Sequence, residues 1–475
     1  MTDQRTEGRA DQRGDWLTAP ERIVIVGASL AGLRAAEVLR DEGFTGSLTI
    51  IGEETERPYD RPPMSKAVLL GRMPPEHAAL PARREVDAHW RLGVPATGLD
   101  LAARRVLLRD GSHVEYDRVL IATGVRARPW PDAAQASLEG VFTLRTMEDA
   151  RQLVARLDAG PRRVLVIGAG FTGSEIASVC RERGLQVTVA ERGPAPLVGA
   201  LGGVIAAVAA DLQREHGVDL RCGITVTELV GDEDGRLRSA RLSDGSTLDC
   251  DVAVVALGAV RNTEWLHDSG LGAGPRGLAS DAGCRAFDIN GVVTDDVFVA
   301  GDVARTPHPL YEYQLLALEH WGNAVAQAEV AAHNMVSCGP RRRPHLAVPA
   351  FWSSQFGVNI KSVGVPSFSD EVAIVQGAVE KRSFVAVYGY RGRLTAAVSF
   401  NQSRWLDYYC TLIEAAAPFP PDPGTFDRPE DVVVQAADVP DPSQLSHGPT
   451  VAVTGHLPDE RRVVRVPPTV QEARA

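Results

Sequence analysis

The chain contains the same arrangement twice, and this limits its fold more than any other feature. Ile23-Val24-Ile25-Val26 runs into Gly27-Ala28-Ser29-Leu30-Ala31-Gly32, then a helix-like stretch to about Arg40 and a second apolar run at Leu48–Ile51. The sequence Val164-Leu165-Val166-Ile167 runs into Gly168-Ala169-Gly170-Phe171-Thr172-Gly173, a helix-like stretch to about Arg183 and a run at Gln186–Ala190. The first glycines, Gly27 and Gly168, are separated by far more than any solenoid period, so a whole domain is duplicated. Short apolar runs before a glycine turn, followed by a helical period, read as βαβ units with parallel strands. The runs Val119–Gly124 (VLIATG) and Val254–Gly258 (VVALG) echo each other in the same way, and Val297–Asp302 (VFVAGD) leads a strand into a Gly-Asp turn.

The second turn is a complete Gly-x-Gly-x-x-Gly. Its first glycine, Gly168, permits the turn, Gly170 lets backbone approach a pyrophosphate, and Gly173 lets helix pack on strand. The anion would sit at the positive end of the helix. An acid at the end of the next strand accepts hydrogen bonds from an adenosine ribose, and Glu191 stands there, at the usual spacing beyond Gly173. In the first turn Gly27 and Gly32 are kept and Ser29 replaces the middle glycine, a small residue that can still donate to phosphate. Glu53 stands at the same ribose spacing beyond Gly32. Two Rossmann-like cradles call for two dinucleotides, and the economical pair is FAD, held permanently, with a nicotinamide that comes and goes. A carboxylate at Glu191 suits a free 2′-hydroxyl and repels a 2′-phosphate, which favours NADH over NADPH; Arg192 beside it could instead take the phosphate.

Composition narrows the function further. The 475 residues predict two to four domains, with 50 Lys+Arg against 61 Asp+Glu for a net charge of −11. Such a chain is a poor nucleic-acid binder. No apolar run nears the roughly 18 residues of a membrane span, and the polar N-terminus has no signal-peptide core, so a cytoplasmic location with no membrane partner is expected. Of the six cysteines the two nearest in sequence are Cys222 and Cys250, which leaves no zinc knuckle, no iron–sulfur cluster and no neighbouring redox pair; no metal site is predicted.

Beyond the glycine turns, Arg57-Pro58-Tyr59-Asp60-Arg61-Pro62-Pro63-Met64-Ser65-Lys66, Val297–Asp302, Glu319-His320-Trp321-Gly322-Asn323-Ala324 and Phe351-Trp352-Ser353 fall in order along the chain. In this the sequence resembles, from about Arg22 to Ala417, the FAD-dependent NAD(P)H ferredoxin reductases of the putidaredoxin reductase, rhodocoxin reductase and aromatic-ring dioxygenase type. It departs from them at Ser29, at Val260-Arg261-Asn262 and in a long C-terminal extension. The resemblance implies an α/β fold of glutathione-reductase type, with two dinucleotide-binding domains and a C-terminal α+β domain. The expected segments are a flexible tail at 1–20, an FAD-binding domain at 21–145 and 274–343, an NAD(H)-binding domain at 146–273, the α+β domain at 344–418 and an irregular extension at 419–475. Period-two strands are expected at Ala373–Gln376, Ser383–Tyr390 and Leu394–Phe400, with a helix over Arg404–Ala417.

The resemblance also implies residue roles. Asp302 would hold the FAD ribitol, or else cap a helix starting at Val303. Lys66 would lie near the flavin N5, stabilising negative charge on the reduced ring, unless it is a solvated surface lysine. Glu175, on the first turn of its helix, would face the nicotinamide and pair with that lysine, or simply favour the helix dipole. Trp321 would pack by the isoalloxazine, or be core. Arg61 and Arg145 would contact FAD, or form surface ion pairs, and Ala31, Ala96 and Thr123 would be small contacts to it. The implied activity takes hydride from NADH onto FAD and passes single electrons to a 2Fe-2S ferredoxin serving a haem monooxygenase or ring-hydroxylating oxygenase. The rivals are a flavin reductase of a small acceptor, of monodehydroascorbate or quinone type, and an NADH-responsive flavoprotein like apoptosis-inducing factor. For an acidic ferredoxin, Arg341–Arg343 and the arginines around Arg61 are the candidate docking patch.

Overall fold

The structure, a computed structural model, describes residues 20–440 except 423, 425, 426 and 430, together with strands 450–454 and 462–466. The tail before Pro20 and most of the extension after residue 440 lie outside the described residues.

Each glycine turn heads its own sheet. In the first, strands run in the order Arg285–Phe287, Val293–Val299, Arg118–Ile121, Arg22–Val26, Ser47–Ile51, His89–Arg91. All neighbours are parallel except the first pair. The second is wholly parallel, in the order Asp219–Cys222, Gln186–Glu191, Arg163–Ile167, Val252–Val255, Val141–Phe142. Helices cover both faces of a parallel sheet, so its strands are continuous apolar runs, and Ile23–Val26 are at most 2% exposed. Helix Leu30–Asp41 packs on helix Trp321–Val336 through small side chains, among them Ala35, Ala328 and Ala331. Thus the chain leaves the first domain and later returns to it. The crossings pair with each other as antiparallel strands Val125–Ala127 and Ala259–Arg261. Val141–Phe142 belongs to the second sheet although it precedes the expected boundary at 145/146; the strand pairs before the connecting helix Met147–Asp158 begins.

The third sheet is antiparallel, ordered Ala350–Gln355, Val358–Gly364, Arg393–Phe400, Ser383–Tyr390, Glu371–Ala378, Val434–Ala436. Its first hairpin alternates buried and exposed residues. The expected alternation is absent from the central strands, where Phe384–Gly389 is buried throughout. One face takes helix Leu406–Glu414, through Leu406, Tyr409 and Ile413. The other face joins the core of the domain built on the second sheet, called the nucleotide domain after its glycine motif, with Phe384, Ala386 and Phe400 in the same cluster as Ile176 and Leu201. Likewise the stretch expected to be irregular supplies the edge strand Val434–Ala436, because the rim of Glu371–Ala378 offers unpaired backbone groups. The strands 450–454 and 462–466 form an antiparallel pair. Asp302 caps no helix: Gly301 to Val303 is a turn that continues as strand Ala304–His308.

Candidate active site

The two turns are built alike. A Cβ on Gly32 would lie 1.9 Å from the Gly27 carbonyl oxygen, and one on Gly173 would lie 2.0 Å from that of Gly168, so each third glycine is fixed by the contact of helix on turn. The two echoing strands end equivalently. Ala122 O would meet a Cβ on Gly27, and Ala256 O one on Gly168. The middle positions are the open ones. Nothing lies within 4 Å of where a Gly170 Cβ would sit. Ser29, at the N-cap of Leu30–Asp41, makes no side-chain cap hydrogen bond, which leaves its hydroxyl for a ligand.

From the first turn a cleft runs in two directions. One limb is lined by Glu53, Glu54, Ala96 and Trp265, and the other by Lys66, Phe171, Glu175, Asp302, Trp321 and Trp352. Ser29, Ala122, Thr123, Val125, Arg61 and Arg145 line both. Because these residues are shared, the two limbs form one continuous, elongated cleft, a shape that suits a dinucleotide. The steric tests on the glycines, the uncapped Ser29 and this shape all fit such a group. Ala31 sits on the first turn of the helix, 7% exposed. Thr123 is clasped by Asn262, donating its hydroxyl to the Asn262 carbonyl and accepting the side-chain amide on its own carbonyl, both at 2.9 Å.

Glu53 is exposed and lies 3.8 Å from Arg109. Its neighbour Glu54 is the acid that binds inward, taking Arg61 Nη2 at 2.6 Å and the Tyr59 hydroxyl at 2.5 Å. Arg61 also donates to the Arg145 carbonyl at 2.8 Å. Arg145 precedes the Thr146–Asp149 capping box at the start of Met147–Asp158, its N–H also donating to Asp149, and its guanidinium reaches Asp302 Oδ2 at 2.8 Å. Arg61, Arg145 and Asp302 therefore form one polar wall.

Lys66 and Glu175 meet at the far limb. Lys66 lies on a π-helical turn, Met64–Val68, that follows Pro62-Pro63, a distortion frequent at functional sites. Its Nζ donates to Glu175 Oε2 at 2.7 Å and to the Pro62 carbonyl at 3.2 Å. Ser65 also donates to Oε2, at 2.5 Å, while Ser353 donates to Oε1 at 2.7 Å. Glu175 is 5% exposed and is thus a buried carboxylate held by hydroxyls and an ammonium from two other domains. Phe171, Glu175 and Ser178 form an i, i+4, i+7 stripe on helix Phe171–Glu182. Along strand Ala350–Gln355 and its turn they meet the Phe351 ring at 4.8 Å, Ser353, and the Phe356 N–H at 2.7 Å. Trp321 donates its indole N–H to Asp60 Oδ1 at 3.0 Å, and its ring centroid is 6.1 Å from that of Trp352, which is 41% exposed at the rim. Burial pushes the Asp60 carboxyl above its ordinary range, against the opposing pull of Trp321 and Lys66.

In the second unit, Glu191 accepts from Ala169 N–H on Oε2 and from Gly193 N–H on Oε1, both at 2.6 Å, and so is locked against the turn it serves. Arg192 is exposed beside it. Of the two stretches expected to form an arginine patch, Arg61 lines the cleft and Arg341–Arg343 lie apart from it. Arg341–Arg343 follow the C-terminal end of helix Trp321–Val336, roughly 25 Å of helix away from Trp321 at about 1.5 Å per residue, and Arg342 and Arg343 lie 3.7 and 3.8 Å from Asp295 and Glu42.

Ser65, Ser353, Tyr59, Asp60, Glu54 and Phe171 have no role assigned from sequence. Tyr59, Asp60, Ser65 and Ser353 stand within the motifs that carry the resemblance and Glu54 adjoins Glu53, which is the available signal; Phe171 is a free position inside the glycine motif.

Residues 21–328 match the pyridine nucleotide-disulphide oxidoreductases and residues 350–427 the reductase C-terminal domain. The chain belongs to the pyridine nucleotide-disulphide oxidoreductase family, whose members bind a flavin and a nicotinamide nucleotide. It is 35% identical to rhodocoxin reductase of Rhodococcus erythropolis over 386 residues, 80% of this chain and 87% of that one. It is 32% identical to the biphenyl dioxygenase system ferredoxin–NAD(+) reductase component of Paraburkholderia xenovorans, over 81% of this chain and 91% of that one. The structure of the covalent putidaredoxin reductase–putidaredoxin complex superposes with a TM-score of 0.78 at 29% identity, covering 84% of this chain and 94% of that one. Among the described residues no helix is long and apolar enough to cross a membrane.

Proposed function

We propose that the protein is an FAD-dependent ferredoxin reductase that oxidises NADH and delivers electrons singly to a 2Fe-2S ferredoxin serving a haem monooxygenase or ring-hydroxylating oxygenase. The observation that carries this reading is the convergence of both glycine-turn units and the C-terminal sheet on the Lys66–Glu175 pair, in one cleft. Ser29, Ala31, Gly32, Glu53, Ala96, Thr123, Arg61, Arg145 and Asp302 would hold FAD, with Trp321 flanking its ring end. FAD supplies the chemistry that side chains lack, accepting two electrons and releasing them one at a time.

The chain's own residues then bind and orient. Lys66 places a cation where negative charge grows, and Glu175 fixes that cation and neutralises it in part. The turn Gly168–Gly173 and Glu191 would seat the nicotinamide nucleotide. The carboxylate, fixed by two backbone donors, favours a ribose hydroxyl and repels a phosphate, which supports NADH over NADPH. Electron exit through a disulfide is disfavoured: among the described residues no cysteine lines the cleft, and burial pushes the Cys180 and Cys250 thiols up to about 12. At the rim Trp352 is exposed and pairs across the hairpin with exposed Lys361, a surface suited to an acidic protein partner.

Purified full-length protein should carry the visible flavin band, bleach under NADH far faster than under NADPH, and reduce cytochrome c briskly only when a 2Fe-2S ferredoxin is added. Colourless protein that cannot be reconstituted with FAD overturns the proposal. Equal rates without ferredoxin point instead to a small-acceptor reductase, and a long-lived reduced complex with negligible turnover points to a sensor.

A further inference from the structure

The match to the reductase C-terminal domain ends at residue 427, yet the chain returns to the protein body beyond it. Strand Val434–Ala436 pairs with Glu371–Ala373, and the Ala437 N–H donates to the Asp370 carbonyl at 3.0 Å. The next residues cross to another domain. The Asp438 carbonyl accepts the Gly203 N–H at 2.9 Å, Ala437 is fully buried, and Val439 packs against the core that the nucleotide domain shares with the C-terminal sheet.

The receiving surface accommodates only a bare backbone. Gly202 breaks helix Val198–Glu215 with φ 70° and ψ 162°. A Cβ there would lie 2.4 Å from the Ala437 carbonyl oxygen, and one on Gly203 would lie 2.8 Å from the Asp438 Cβ. Two glycines inside a helix weaken it relative to alanine, and the contact with residues 437–439 offsets that loss. Tyr388 of the C-terminal sheet adds a tie at the same place, its hydroxyl donating to the Leu201 carbonyl at 2.6 Å.

This end of the helix also supports the second glycine turn. The Leu197 N–H donates to the Ala169 carbonyl at 2.9 Å, and the Ala169 N–H in turn donates to Glu191. Tail, kinked helix, glycine turn and ribose acid thus form one run of adjoining contacts.

We propose that residues 434–439 are a positioning strap for the nicotinamide nucleotide. They hold the start of helix Val198–Glu215, and through it Ala169 and Glu191, in the orientation that binds NADH. This rests on the assignment of the second unit to the nicotinamide nucleotide. Three chains test it: full length, one ending at residue 440 that keeps the strap, and one ending at residue 430 that lacks it. Loss of the strand pairing and of the backbone bonds that tie Ala437 to Asp370 and Asp438 to Gly203 predicts that the shortest chain has a KM for NADH raised roughly tenfold. Its flavin content, kcat and KM for ferredoxin stay close to those of the full chain, and the chain ending at 440 matches the full chain throughout.

Gly203→Ala in the full chain keeps the tail but pushes a methyl into Asp438, and should raise the same KM. In the chain ending at 430 it should change nothing further. An unchanged KM for NADH in both the shortest chain and full-length Gly203→Ala overturns the strap, as does an equal loss of flavin and kcat in both, which would mark a general structural role. A full chain whose flavin NADH does not reduce overturns the nicotinamide assignment and the strap with it.

Discussion

Ser353→Ala removes one hydroxyl and leaves Glu175 Oε1 without the donor that holds it, while Oε2 keeps Lys66 and Ser65. Ser353 is 1% exposed and Glu175 5%, so water has little access to replace the lost bond. A hydrogen bond to a charged group contributes about 1.5–3 kcal/mol. If about 2 kcal/mol of this is lost from the orientation of Glu175 and Lys66 during reduction, the rate falls roughly thirtyfold. The assay is anaerobic stopped flow, following the flavin band as NADH is mixed with the holoprotein. Ser353→Thr keeps a hydroxyl at the same position and should restore most of the rate. Glu175→Gln should be slow by itself, and adding Ser353→Ala to it should cost much less than in the native background, for a coupling of about 1–2 kcal/mol. Strictly additive losses would refute the reasoning, because they would mean that Ser353 acts on something other than Glu175.

Three further outcomes are expected. Glu191→Ala strands two backbone N–H groups and removes the ribose acceptor; the KM for NADH should rise roughly tenfold and the preference over NADPH narrow, and an unchanged ratio of kcat/KM for the two nucleotides would contradict the assignment. Lys361→Glu reverses a charge beside Trp352, so ferredoxin reduction should slow severalfold at low salt, with the gap closing as ionic strength rises, while reduction of the flavin by NADH stays the same; a salt-independent defect argues against docking there. Burial, helped by the nearby His308 ring, pushes His345 down to about 4. Between about pH 6.5 and pH 4 the unfolded chain therefore takes a proton that the folded chain refuses, and stability falls as pH falls through that window. His345 contributes roughly 2 kcal/mol of that loss between pH 7 and pH 5, and in denaturant titrations His345→Asn should remove this share while that of His320, also pushed down to about 4 by burial, remains.

What was legible in the sequence was whatever a short stretch of backbone determines. The glycine turns could be read because the contacts that require them are local, Gly32 against Gly27 and Gly173 against Gly168. The buried strands beside them are unbroken apolar runs for the same reason. Contacts made across long separations were not legible. Ser353 and Glu175 are 178 residues apart and belong to different domains, so nothing near either residue announces the pair. The sheet around Ser383–Tyr390 was expected to alternate, but the nucleotide domain covers the face that would otherwise meet water. Gly202 and Gly203 look like a weak spot in a helix until Ala437 and Asp438 are seen against them. The arginine run was conspicuous in sequence, but its place beyond the end of helix Trp321–Val336 away from the cleft was not legible there.

The C-terminal domain grips the nucleotide domain on two of its helices, and the two grips have opposite consequences for the cleft. On Phe171–Glu182 it reaches inward, with Phe351 on Phe171 and Ser353 on Glu175, so its position is felt directly at Lys66. On Val198–Glu215 it holds from behind, through Tyr388 and the residues after Ala436, and its position is felt at Ala169 and Glu191. Both helices begin beside the same glycine turn, so a rotation that loosened one grip would alter the other. A misplacement of about 1 Å between reacting groups can cost on the order of a hundredfold in rate. The two grips together therefore fix the separation between the second glycine turn and the Lys66 end of the cleft, and an extension beyond the shared reductase domain strengthens the rear one.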